Sequence, residues 1–397
     1  MNVIRIAFLI RKLEIGGAER QLSLLAAGLD RKRFAPLILT FYPGGEFEKA
    51  LLDAGVEVRC LNKSGRWDLL SFQYKLTMAL RAFNPHLVHA FQGPPNLLAL
   101  LARPFVSKMR VIWGFRASNT DLGSYDYSRR LVALAMRLSS RRMDMAIANS
   151  HAGRHHAVSM GFDSRKFYVV ENGIDTGRFV RDMMAGANVR REWGIPTEAP
   201  LIGLVARLDV KKDHTTFLTA AAQIAASHPS IRFACIGWGS QQRLKQLQLL
   251  ACNLGIEEKV TWAGVRSDMQ AVYSALDINT LTSKFGEGFP NSVGEAMAVG
   301  LPCIVADCGD AAAIVGETGI VVAPGDAIAL AAGWEEILSM PKEKLKGLKG
   351  RCRDRIVEHY STESMIAKSA TLYAGLSHGC LEPSMEGPHT EERENQT

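Results

Sequence analysis

Apolar side chains fill nearly every position from Val3 to Ile10, and the run stops at a turn around Gly16-Gly17. Unbroken apolarity of that length marks a strand buried on both faces, the condition of a parallel sheet. The period then changes back and forth along the chain. Helices are predicted at Ala18–Leu29, Glu46–Ala54 and Leu97–Leu101, and strands at Pro36–Phe41, Leu87–His89, Val111–Phe115, Met145–Asn149 and Tyr168–Val170. The alternation restarts with strands at Leu201–Val205, Arg232–Ile236, Val260–Trp262 and Ile278–Leu281. Helices at Thr215–Ala226, Gln241–Leu254 and Met269–Ala275 lie between them. Strand and helix in regular turn predict two doubly wound parallel sheets of the α/β class. Residues 176–199 lack a period and hold Gly177, Gly186, Gly194 and Pro196, which reads as a linker. Farther on, Ser361 can cap a helix whose Met365, Ile366, Leu372, Tyr373 and Leu376 share one face. Leu381–Thr397 is polar and rich in Glu, with little to bury, and is expected to be disordered.

The chemistry concentrates between Ser283 and Pro302. Glu287 and Glu295 stand eight positions apart there. Gly286 to Pro290 is too rich in Gly and Pro for a helix or a strand interior, whereas Asn291 or Ser292 through Ala298 reads as a helix stopped by Gly300-Leu-Pro302. Glu287 is therefore expected in a loop and Glu295 one turn inside the following helix. The unpaired N–H groups and the dipole of such a helix start suit an anion. Two carboxylates beside it suit hydroxyl groups, so the combination fits a nucleotide sugar. A surface loop followed by a capped helix would satisfy the same spacing.

The block Ser283-Lys-Phe-Gly-Glu-Gly-Phe-Pro-Asn-Ser-Val-Gly-Glu-Ala-Met-Ala-Val-Gly-Leu-Pro302 closely resembles the donor-site signature of retaining GT-B glycosyltransferases, family 4 (glycosyl transferases group 1). Further blocks follow the family's order: Gly16-Gly-Ala-Glu-Arg20, Asn172-Gly-Ile-Asp175 and Ala206-Arg-Leu-Asp-Val-Lys-Lys-Asp213. The resemblance covers roughly residues 3–375. It implies two Rossmann-like domains facing a cleft: 1–180 on the acceptor side, a linker at 181–199, and 200–355 binding the donor nucleotide. A helix at 356–377 would cross back to the first domain, and 378–397 would be the disordered tail. Ligands of open α/β sheets bind beyond the carboxyl ends of the strands, which agrees with a site in that cleft.

The resemblance also assigns roles. Arg207 and Lys212, flanking the turn after a strand, would face the diphosphate as it gains charge on leaving, where fixed cations stabilise the transition state more than the ground state. They would replace a divalent metal; the chain has no Asp-x-Asp motif, and neither a metal nor another cofactor is expected. Glu287 would sit near the sugar in an electrostatic and positioning role. Backbone groups around Phe289, Pro290, Asn291 and Ser292 would hold sugar hydroxyls and phosphate, and Glu295 the ribose. Gly16 and Gly17 would touch the donor phosphate; missing side chains permit a close approach and make positive φ accessible, although a tight turn alone explains them equally well. Where many members have a histidine after the strand Val111–Phe115, this chain has Arg116, which cannot act as a base at neutral pH but can grip an anion. His89, at another strand end, is the other candidate for acceptor or sugar contacts. Asp213 stands where the family often has Gly.

Size and charge add compartment and partners. A chain of 397 residues with 47% apolar content suffices for two cores, and its longest apolar runs fall far short of the roughly 20 residues that span a bilayer. Seven cysteines without regular spacing fit reduced thiols and argue against a zinc site, so the chain reads as cytoplasmic. The net charge of +7 hides an asymmetry: up to residue 180 there are 26 Lys/Arg against 14 Asp/Glu, and beyond it 21 against 26. Arg103, Lys108 and Arg110, then Arg129, Arg130, Arg137, Arg141 and Arg142, concentrate the excess. A basic first half suits an anionic membrane at the inner face or a diphosphate-linked lipid, although solvated surfaces are also basic. Nucleic acid is not expected, because no aromatic-interleaved basic stripe appears.

The reading that follows is transfer of a hexose or N-acetylhexosamine from a UDP- or GDP-sugar to a lipid-linked or polysaccharide acceptor. A silent sugar-nucleotide-binding subunit is the alternative. An NAD-type oxidoreductase ranks lower, since G-x-G-x-x-G is missing.

Overall fold

The computed structural model describes residues 3–14, 16–65, 67–116 and 127–380, the side chains of 127–130 excepted. The chain divides into two compact units. One takes the residues up to Arg116, 127–171 and those from Met365 onward; the other runs from Asn172 to Ser364.

The first unit holds β1 (Ile4–Ile10), β2 (Phe34–Thr40), β3 (Glu57–Cys60), β4 (Leu87–Phe91), β5 (Arg110–Phe115), β6 (Met145–Ala148) and β7 (Phe167–Val169). They form one sheet in the order β3-β2-β1-β4-β5-β6-β7, and every pairing is parallel. Alternation along β1 explains its continuous apolarity. Ile4, Ile6, Phe8 and Ile10 enter one core with Leu22, Leu25 and Ala26 of the helix Gly17–Gly28. Ala7 and Leu9 enter the other, beneath the helices Leu70–Phe83 and Gly93–Ala102. The edge strand β3 escapes the sequence pattern because only four residues pair, Glu57 and Arg59 among them, and none is fully buried.

The second unit repeats the design with β8 (Leu201–Val205), β9 (Arg232–Ile236), β10 (Val260–Gly264), β11 (Ile278–Leu281), β12 (Cys303–Ala306) and β13 (Ile320–Val322). Their order is β10-β9-β8-β11-β12-β13, again all parallel. Beside β8 the order reverses, with β9 on one side and β11 on the other. That reversal is the switch point beside which open α/β sheets bind ligands.

Two expected boundaries need correction. Residues 181–199 do not form a linker. They carry the helix Met183–Glu192, capped by the Asp182 carboxylate on the Ala185 amide at 2.9 Å. Arg190 ties this helix to the second unit through the Asp277 carboxylate at 2.7 Å and the Ala275 carbonyl at 2.7 Å. Gly186, read as a linker residue, is small for packing: a Cβ there would lie 2.6 Å from the Ser274 carbonyl oxygen. The segment 356–377 is likewise not one helix. Lys342–His359 ends inside the second unit, and a separate helix, Thr362–His378, follows. Ser361 caps it as expected, accepting from the Ser364 amide at 3.3 Å.

Met365, Leu372, Tyr373 and Leu376 then bury themselves in the core of the first unit, where Lys368 also reaches Glu171 at 2.9 Å. The chain therefore does cross back, but from Met365. The tail from residue 381 and the side chains of Arg129 and Arg130 lie outside the described residues. All seven cysteines are free thiols. Among the described residues no helix is long and apolar enough to cross a membrane.

Candidate active site

In the second unit the site grows from the carboxyl ends of neighbouring strands. The loop after β8 turns through Arg207 and closes in a short 3-10 turn, Val210–Lys212. The loop after β11 carries Ser283 to Pro290 into the helix Asn291–Ala298. Because β8 and β11 lie side by side, the two loops are neighbours and are stitched together. The Lys284 amide donates to the Lys211 carbonyl at 2.9 Å, and the Thr282 hydroxyl to the Lys212 carbonyl at 2.7 Å. The Lys212 ammonium is ion-paired with the Glu287 carboxylate, which also accepts from the Ser283 hydroxyl at 2.5 Å. Glu287 is only 7% exposed. A buried carboxylate needs such partners, and here a cation and a hydroxyl both act on the same oxygen.

The loop after β12 supports the other side. The Asp310 amide donates to the Gly288 carbonyl at 3.0 Å. Gly309, at φ +63°, packs so closely that a Cβ would lie 2.6 Å from the Glu287 carbonyl oxygen. The helix Asn291–Ala298 opens at Pro290 without a side-chain cap. Its start is positioned by Asn172, whose amide donates to the Asn291 side chain at 2.8 Å. The Phe289 ring turns inward onto Tyr360, with centroids 5.5 Å apart, so this loop presents backbone rather than side chain at that point. Asn291 and Ser292 are half-buried. Glu295 lies one turn inside the helix, as expected, but it is buried and accepts from the Tyr273 hydroxyl at 3.0 Å. Arg207 is exposed on its turn.

Asp213 has a physical role that its place in the sequence did not announce. Its φ of +46° is left-handed, where Gly is the easy choice, and its side chain caps the helix His214–Ser227 at the Thr216 amide, 3.4 Å away. Lys284 lies 3.2 Å from it. Next to it His214 is fully buried, with both ring nitrogens lacking a protein partner.

Burial first, then the charge of Arg243, hold the His214 imidazole at about 4. The unfolded chain accepts that proton near the ordinary 6.5, so the stabilisation from a neutral His214 is complete above pH 6.5 and is lost as pH falls toward 4. His214→Leu is expected to flatten the dependence of unfolding free energy on pH in this window, by an amount on the order of 3 kcal/mol at most. Parallel pH profiles of the two proteins would refute this. His89, also held low, titrates in the same direction and remains in both.

The first unit carries the other candidates. Gly16 precedes the helix Gly17–Gly28 at the end of β1. Its φ is −163°, so conformational freedom is not why it is glycine. A Cβ there would lie 2.1 Å from a carboxylate oxygen of Glu19, whose pKa burial raises. His89, on β4, is fully buried, with Nδ1 2.7 Å from the Tyr373 hydroxyl. Burial, and then the charge of Arg116, hold it well below its ordinary pKa, so it stays neutral. Arg116 follows β5 and is half-buried, its guanidinium 4.9 Å from the centre of the Phe91 ring. Burial lowers it to about 10, which still leaves a cation at neutral pH.

Glu287, Lys212 and the helix start are thus brought together within one unit, whereas Gly16, Gly17, His89 and Arg116 belong to the other. Sequence reasoning did not single out Ser283, Asn172 and Gly309. The first two lie inside the quoted blocks; Gly309 had no signal. Among the described residues no three His, Cys, Asp or Glu side chains form a set that could hold a metal ion.

Residues 15–178 match the family described as Glycosyltransferase Family 4, and residues 199–340 match glycosyl transferases group 1. Together the two cover most of the chain. The D-inositol 3-phosphate glycosyltransferase of Corynebacterium urealyticum is 31% identical over 62% of this chain and 59% of its own length. The lipopolysaccharide core biosynthesis glycosyltransferase LpsE of Rhizobium meliloti is 26% identical over 67% of this chain and 75% of its own. Among solved structures, Anabaena HepE in complex with UDP superposes with a TM-score of 0.81 at 21% identity, covering 94% of this chain and 100% of that one.

Proposed function

Given that this chain is a glycosyltransferase of the GT-B fold, we propose that it moves a hexose or N-acetylhexosamine, with retention and without a metal, from a UDP- or GDP-sugar to a saccharide or lipid-linked acceptor. The observation that carries this reading is the buried Glu287 carboxylate, paired with Lys212 on a loop that leads into an uncapped helix start. The amides of that start receive a phosphate, and the carboxylate lies where sugar hydroxyls would meet the same loop. As the glycosidic bond breaks, negative charge grows on the departing diphosphate. Lys212 and Arg207 stabilise that charge from fixed positions, with no metal required. Lys212 is shared between the carboxylate and the phosphate, so the ion pair of the free enzyme keeps the cation aimed before the donor arrives. Glu295, which accepts from the Tyr273 hydroxyl, is proposed to meet the ribose. Gly16 and Gly17 are proposed to meet the donor phosphate, with the Glu19 carboxylate beside Gly16. A UDP donor is supported by HepE, which was crystallised with UDP. A saccharide acceptor is supported by LpsE, which acts in lipopolysaccharide core biosynthesis. His89 and Arg116 are proposed to face that acceptor or the transferred sugar.

A thermal-shift panel of UDP, GDP, ADP, CMP and NAD, with and without Mg²⁺, tests the reading, because a ligand that binds the native state raises stability by mass action. A shift with UDP or GDP that Mg²⁺ leaves unchanged is expected; a shift with NAD alone would overturn the proposal. Silence across the panel would favour a silent subunit. Arg207→Ala is expected to weaken both nucleoside diphosphate affinity and turnover, each by roughly tenfold, as loss of a charged hydrogen-bond donor does. A normal dissociation constant for the diphosphate in that variant would remove Arg207 from the site.

A further inference from the structure

We propose that the second unit carries a separate anion-binding site, at the end of its sheet opposite Glu287, that takes a small phosphate monoester. A cavity of about 250 Å³ lies there. The segments that lead into β8 and β11 border it, together with the helices Ala327–Leu338 and Lys342–His359, all within that one unit. Pro200, Ile278, Ile337 and Leu345 supply apolar wall, and Thr197, Asp277 and Lys349 supply polar groups. A water molecule takes ~30 Å³ in the liquid, so the space suits a phosphate with a few carbon atoms better than a single solvent molecule. The length of β8, roughly 15 Å, separates the cavity from the turn that carries Lys212.

Three cations, Arg181, Arg190 and Lys349, gather around one carboxylate that is already engaged. The Asp277 carboxylate accepts from Arg190 at 2.7 Å and from the Leu201 amide at 2.9 Å, both on the same oxygen. Arg190 spends its other donors on the carbonyls of Ala275 and Ala199, at 2.7 and 2.9 Å. The other two cations lack such partners. Arg181 Nη1 is buried without a hydrogen-bond partner, and Nε reaches only the weak acceptor Met183 Sδ at 3.3 Å. Lys349 is half-buried and forms no ion pair among the described residues. Burial, and then the charge of Arg181, lower the Lys349 pKa, and Asp277 only partly offsets them. Cations left uncompensated at that depth cost stability, and an anion between them removes the cost. Lys342 and Lys346, exposed on the same face of the helix as Lys349, make the approach basic, while Glu198 is the other acid at the cavity and is exposed. A phosphate offers several acceptor oxygens to a guanidinium and an ammonium at once, which a neutral sugar or nucleoside does not.

The test is isothermal titration of the full chain with glycerol phosphate, and with glycerol as the uncharged control, at constant ionic strength. Saturable binding of the phosphate alone is expected. Lys349→Gln should weaken it at least tenfold, as loss of one charged hydrogen-bond donor does. Without phosphate that variant should melt no lower than wild type, because the substitution also removes a repelled charge. Arg181→Gln should weaken binding similarly and keeps the proposal testable if either variant folds poorly. Arg207→Ala, and saturation with UDP, should leave the affinity unchanged, since both act at the other end of the sheet. Absence of saturable binding, undiminished affinity in Lys349→Gln, or displacement of glycerol phosphate by UDP would overturn the proposal. The Lys349→Gln comparison does not depend on nucleotide binding, so it stands or falls apart from the transferase reading.

Discussion

Glu287→Gln is expected to lower turnover at least ~100-fold while leaving nucleoside diphosphate affinity nearly intact. The substitution keeps the size of the side chain and an oxygen for the Ser283 hydroxyl, so the loop has no reason to move. What disappears is the negative charge that orients Lys212 and is proposed to face the sugar. The phosphate contacts proposed for the helix start and for Arg207 do not involve the substituted side chain. The result therefore separates a role in the chemical step from a role in binding, read as kcat against Kd. Unchanged turnover would sink the assignment. A melting temperature close to wild type would confirm that the loss is local.

Gly309→Ala should be the most damaging small substitution near the site, by about 2–4 kcal/mol of stability, with turnover falling at least tenfold. Two costs combine. The residue's φ of +63° is unfavourable for any side chain, at roughly 1–2 kcal/mol. The added Cβ would also lie 2.6 Å from the Glu287 carbonyl oxygen, a backbone atom that cannot swing away as a side chain can. Either Gly309 or the loop that carries Glu287 must shift, and a small displacement of positioned groups is costly in rate. Gly264→Ala is the control, because its φ is +64° with nothing within 4 Å. It should pay the conformational cost alone and leave turnover untouched. Equal melting temperatures and rates for the two variants would show that the contact with Glu287 is of no consequence.

Most of the architecture was legible because buried parallel strands need apolar side chains on both faces. Leu201–Val205, Arg232–Ile236 and Ile278–Leu281 were delimited from pattern alone. Failures arose where a residue type has two physical uses. Gly186 looked like a chain breaker but lets two helices touch. Gly16 suggested special dihedrals, yet its φ of −163° is one that any residue adopts. The loop and helix that separate Glu287 from Glu295 were read correctly, since Gly-Phe-Pro can form neither element. Partners were harder. Nothing in the order of residues announces that Asn172 holds Asn291, or that Tyr373 reaches His89 across 284 positions. Such bonds depend on the tertiary arrangement and not on local period.

The helix beginning at Thr362 has a consequence for biosynthesis. Tyr373 and its neighbours are core residues of a unit whose sheet is otherwise complete by Val169, so nearly two hundred residues are translated between the sheet and its covering helix. Through that interval the nascent sheet exposes the apolar trough into which Leu372, Tyr373 and Leu376 later settle. The second unit, contiguous in sequence from Asn172 to Ser364, has no such wait. The unit that leaves the ribosome first is thus the one that closes last, and its period of vulnerability to aggregation is set by the speed of translation.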